Sequence, residues 1–89
     1  MDKYFFDVIN GEGPMYDAEG LDLPNTDAVR AEVARIAVDI AKGEIAHQNA
    51  LSVTVNVRDD TDFKVFSGRL SFETEWYDTH IPSRAQSVT

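Results

Sequence analysis

The chain has no cysteine, which removes disulfides, thiolate metal sites and thiol nucleophiles from consideration. It has no apolar run near the ~20 residues that a membrane-spanning helix requires. Its opening, Met1-Asp2-Lys3, lacks the cationic start of a cleavable leader. A cytoplasmic protein without membrane contact is the expectation. Bases are scarce, with eight Lys and Arg against sixteen Asp and Glu and a net charge of −8. Nucleic acid is held mainly by Lys and Arg at its phosphates, so this balance disfavours it as a partner. Histidine is limited to His47 and His80, and neither has a neighbouring ligand at metal spacing. No serine sits in a Gly-x-Ser-x-Gly turn, and no helix follows Gly11 and Gly13 to complete a phosphate cradle. No catalytic residue, cofactor or resident metal is expected, and the chain reads as non-enzymatic.

What is present is a clean alternation. Leu51-Ser52-Val53-Thr54-Val55-Asn56-Val57-Arg58 places Leu and Val on one face of a strand and Ser, Thr, Asn and Arg on the other. One face is built for a core and the other for water. Residues 3–9 form a second aromatic and β-branched strand, with Tyr4, Phe6 and Val8 inward and Phe5 and Ile9 outward. Asn10-Gly11-Glu12-Gly13-Pro14 turns the chain into a short return strand over about Pro14–Asp17. A second turn at Ala18-Glu19-Gly20 and the segment Leu21–Pro24 then lead to a helix.

That helix is capped by Asn25 and carries Val29, Val33, Ile36, Ala37 and Ile40 as its core stripe. Ala31, Ala34, Val38 and Ala41 form a second stripe of small residues, and Glu32–Arg35 and Asp39–Lys42 are spaced for surface ion pairs. Gly43 is the expected stop, before a polar connection over Glu44–Ala50. After the turn Asp59-Asp60-Thr61-Asp62, a last strand runs over about Phe63–Trp76. Its inward parity switches between Val65 and Leu70, which predicts a β-bulge near Ser67–Gly68. The fold class is therefore α+β: a two-layer ββαββ sandwich, with a four-stranded, mainly antiparallel sheet and one helix on one face. Residues 1–76 form one domain, and residues 77–89 form a flexible tail.

Tyr4-Phe5-Phe6-Asp7-Val8, the approach Asp17-x-Glu19-Gly20-Leu21-x-Leu23-Pro24, the Ala/Val-rich helix and Val57-Arg58-Asp59 resemble a small bacterial family known only as domain-of-unknown-function family 6894. The likeness covers residues 3–76 and implies a single cytoplasmic domain, with no activity or site to carry over. This chain departs from it in the turn after Val-Arg-Asp, where similar sequences usually have a glycine and this one has Asp60-Thr61-Asp62. A second likeness is to partial-RNase-fold antitoxins, which share the aromatic opening strand, the Glu-Gly approach and an amphipathic helix. It implies a nucleic-acid-linked regulator, which would need Arg58, Lys64 and Arg69 as a basic patch on the outer sheet face. No DNA-binding helix follows here.

Two acidic turns could supply oxygens to Mg²⁺ or Ca²⁺, namely Asp17, Glu19 and Asp22, and Asp59–Asp62. The first set is the basis of an alternative reading as a small metal-dependent enzyme. Asp-rich turns also arise because the side chain bonds nearby amides, and neither turn fits a calcium loop. Association is the reading the sequence favours: a small interaction or regulatory module, a homodimer or the binder of another protein. The expected contact residues are Phe5, Val38, Phe63, Val65, Trp76 and Tyr77.

Overall fold

A computed structural model describes residues 1–46 and 49–77. The alternating run becomes the centre of the molecule. It extends over Ala50–Asp59 (β4), antiparallel to Asp2–Asn10 (β1) on one side and to Lys64–Glu73 (β5) on the other. Val53, Val55 and Val57 have no exposed surface at all. A strand with a neighbour on each side and a helix above its apolar face has no route to water there.

The helix α1 spans Thr26–Glu44. The Asn25 side chain accepts the Ala28 amide at 2.9 Å, which caps its first turn. Asp27 in the first turn and Lys42 in the last complement the helix dipole. Val29, Val33, Ala37 and Ala41 are buried at four-residue steps, with Ile36 and Ile40 half-buried on one flank. Ala41 therefore belongs to the core rather than to a separate small-residue stripe, whereas Val38 remains exposed. Gly43 does not stop the helix, because the Ile45 amide still bonds the Ala41 carbonyl at 2.8 Å and carries the α-turn past it. Arg35 bridges Glu32 at 2.6 Å and Asp39 at 2.9 Å, so Asp39 pairs with Arg35 rather than with Lys42.

The sheet is four strands wide but built from five. Its order is β2-β1-β4-β5, with β2 at Gly13–Met15 and β3 at Leu21–Leu23 both paired to β1. The expected single return strand is thus two short pieces. β2 bonds the Val8–Asn10 end of β1 and β3 bonds the Asp2–Tyr4 end, while residues 16–20 loop away between them. The segment Leu21–Leu23 was too short and too mixed to read as a strand from composition.

The bulge also differs in place. Val57 pairs with Phe66 and Arg58 with Lys64, so the extra residue is Val65 and the ladder is regular through Gly68. The glycine has another cause: a Cβ there would stand 2.5 Å from Cγ1 of Val33 on the helix. It is a close-packing glycine. His47, His80 and the tail beyond Tyr77 lie outside the described residues. Among the described residues, no helix is long and apolar enough to cross a membrane.

Candidate interaction surface

The gap between β2 and β3 leaves the middle of β1 without a backbone partner, and a buried amide without an acceptor is costly. Asp17 fills it. One carboxylate oxygen takes the Phe6 amide at 3.1 Å, and the other takes the amides of Glu19 at 3.1 Å and Gly20 at 3.2 Å. The Asp17 amide itself donates to Asp7 at 3.0 Å. Arg58 closes the arrangement from β4, donating to both Asp7 oxygens at 2.8 and 3.1 Å and to the Asp17 carbonyl at 2.8 Å.

Asp7 is only 7% exposed although it lies on the outer face, because the 16–20 loop and Arg58 cover it. The Arg58 guanidinium also lies 4.9 Å above the Phe5 ring. Burial would raise the Asp17 carboxyl, but the three amide bonds and the Arg58 charge outweigh it and hold it below its ordinary value.

This arrangement reassigns several candidates. Asp17 is engaged by backbone amides, Asp22 sits on β3 opposite Lys3, and Glu19 contributes its amide to the turn. Among the described residues, no three His, Asp or Glu side chains are grouped to hold a metal ion. Asp59 is a turn residue: its carboxylate accepts the Thr61 hydroxyl at 2.6 Å and the amides of Thr61 and Phe63, and these bonds lower its pKa. Of the three bases named for a basic patch, Arg58 is paired with Asp7 and Asp62, and Arg69 bonds the Ser52 hydroxyl.

The six expected contact residues do not meet within one chain. Phe5 is half-buried under Arg58 and is no free contact. Phe63 and Val65 lie at the turn end of β5, whereas Trp76 and Tyr77 follow its other end. All four are exposed, as is Val38 on the helix. Between those ends the sequence reading missed a more organised surface.

Among the described residues β5 has β4 on one side and nothing on the other. Its inward residues Phe66, Leu70 and Phe72 pack against the core but stay half-buried, although the helix reaches β5 closely enough for Val33 to abut Gly68. A groove of about 330 Å³ separates β5 from the helix flank, lined by Arg30, Ala34, Val38, Phe66 and Leu70. Arg30 lies 5.6 Å over the Phe66 ring at its rim.

Among the described residues the backbone of this edge is also unpaired. The Thr74 amide bonds the Asn49 carbonyl at 2.7 Å, which marks that pair as hydrogen-bonded. Antiparallel pairs alternate, so Phe72, Leu70 and Gly68 turn their amides toward β4. Ser67, Arg69, Ser71 and Glu73 turn theirs outward. The period-two pattern of β5 was the available signal, but which of its backbone groups face out depends on the pairing with β4.

The family described as a domain of unknown function, DUF6894, matches residues 3–71. The chain belongs to the DUF6894 family. Its match runs from the second residue of β1 through β4 and ends within β5, so Trp76 and Tyr77 lie beyond the shared part. The α+β fold with an antiparallel sheet and one helix is therefore the architecture of a DUF6894 domain, and the Asp7–Asp17–Arg58 arrangement falls wholly inside the match. No curated protein and no solved structure matches the chain.

Proposed function

We propose that this DUF6894 domain is a non-enzymatic interaction module that self-associates through the open edge of β5. The observation that carries this reading is the combination on one strand of outward-facing backbone groups with the half-buried side chains Phe66, Leu70 and Phe72. An uncovered edge of ten residues is a template for another strand, and natural proteins cover or blunt such edges. Lys64, Arg69, Glu73 and the bulge at Val65 blunt it against indiscriminate pairing, yet they cover neither the ladder nor the groove. At the opposite edge the same chain folds β2, β3 and Asp17 over β1.

Ser71→Pro tests the reading. It deletes an amide that faces the open edge, and proline is tolerated on an edge strand whose N–H faces solvent. Sedimentation should show the wild type gaining mass up to high-micromolar concentration, and a variant with the same circular dichroism staying at 9.9 kDa. A wild type that remains at monomer mass throughout, or a variant that associates equally well, overturns the reading.

A further inference from the structure

We infer that the occupant of the β5 edge is a second copy of this chain, paired antiparallel about a two-fold axis through Ser71. The inference rests on the association proposed above and adds its partner and register. Two constraints narrow the register, and the inward face decides among what is left. The first is the ladder: only residues whose backbone groups face outward can form hydrogen-bonded pairs, so the alternate residues Ser67, Arg69, Ser71 and Glu73 must meet outward-facing residues of the partner.

The second constraint is charge. A symmetric pairing centred on Arg69 sets two guanidinium groups directly opposite each other, which is unfavourable. Centring it on Ser71 sets Arg69 opposite the partner's Glu73, and symmetry repeats the pair. The two charges of opposite sign are four residues apart on the exposed face of one strand. They are thus placed to satisfy a reversed copy of themselves.

The inward face agrees with this choice. In the same register Leu70 faces the partner's Phe72, and an extended continuation beyond Glu73 would bring the partner's Trp76 opposite Phe66. The half-buried Leu70 and Phe72 would each gain an apolar neighbour, and the 86%-exposed Trp76 would gain a ring to pack against. An antiparallel neighbour also brings the turn end of one strand beside the far end of the other. Phe63 and Val65 then lie near Trp76 and Tyr77 of the partner subunit, which joins residues that stand apart in a single chain. The helices flank the joined sheet on one side, so the groove beside Val38 is continued across the axis rather than left open.

Because the chain has no cysteine, one introduced thiol reports the register. Under mild oxidation Ser71→Cys should give a covalent dimer. Ser67→Cys should not, since its two thiols would sit on the order of 25 Å apart. Arg69→Glu sets like charges opposite each other twice and should weaken the dimer by about ten-fold or more, and Arg69→Glu with Glu73→Arg should restore it to within about three-fold.

Light scattering on the same samples separates the outcomes. A dimer indifferent to Arg69→Glu, or one cross-linked through position 67 and not 71, overturns the register while leaving self-association standing. A wild type that is monomeric at every concentration overturns both. Cross-linking at Ser71 together with charge rescue supports the two-fold pairing.

Discussion

The two edges of one sheet are finished in opposite ways. At the β1 edge the chain returns on itself twice, and where its backbone falls short the Asp17 carboxylate takes the place of a strand and accepts the Phe6 amide. Arg58 and Asp7 then tie that loop to β4, with two charges held together largely out of water. At the β5 edge no described residue returns, and the inward side chains remain half-buried beside the ladder. An edge that is not covered by strand can be covered by a side-chain acceptor, as Asp17 does here with Arg58 bonded to its carbonyl. Among the described residues β5 has no such loop, and its alternate amides face outward.

The largest expected effect breaks the closed edge. Arg58→Ala leaves the Asp7 carboxylate with the Asp17 amide but without both guanidinium donors, and it should lower the urea midpoint more than any other variant named here. An unchanged midpoint would mean that water replaces the guanidinium, and the contrast between the edges would weaken. Next comes Gly20→Ala, expected to cost about 1–2 kcal/mol. Gly20 has φ near +74°, and a Cβ there would meet Lys3 and Phe5 side chains at 2.9 Å.

At the open edge, Leu70→Ala should cost the isolated chain only about 1 kcal/mol, because the residue is half-buried. It should reduce association more than stability. Measured side by side, a variant that unfolds as readily as Arg58→Ala would place Leu70 in the monomer core and undo the distinction.

Acid should act on the closed edge and on the β4–β5 turn. Asp17 and Asp59 both have folded pKa values lowered from the ordinary 3.8. Their contribution is therefore fully present above that ordinary value and is lost as pH falls through the lower folded values. Thermal melts from pH 6 to pH 2 should show part of the decline removed in Asp17→Asn, and an unchanged slope would contradict the assignment. The smallest effect is expected for Asp62→Gly, within about 0.5 kcal/mol of zero. Asp62 holds φ near +72°, a conformation glycine adopts freely, and the ion pair it makes with Arg58 at 3.0 Å is exposed. An aspartate at this position gives up backbone ease for a surface contact.

Much of the frame could be read before folding. Tyr4, Phe6 and Val8 face inward as their parity predicts, Asn25 caps the helix, and Leu51, Val53, Val55 and Val57 form the centre of the core. The failures share a cause. Leu21–Leu23 is a strand only because β1 offers it a free length of ladder, and Gly68 is small because Val33 arrives from the helix rather than because the strand bulges there. Phe5 looked like an exposed contact, yet an arginine more than fifty residues further along the chain lies over its ring. None of these neighbours is near in sequence.

Periodicity, capping and turn chemistry are local properties, because they arise from the geometry of a few consecutive residues. They decided that this chain makes an acidic α+β domain with one half-buried sheet and one amphipathic helix. Which edge of that sheet would be sealed, which carboxylate would be buried and which amides would be left facing outward depended on pairings across the fold, as between Asp7 and Arg58 or Asn49 and Thr74. Those are properties of assembled strands. Only when β4 lies between β1 and β5 does one side of the sheet become finished and the other remain available.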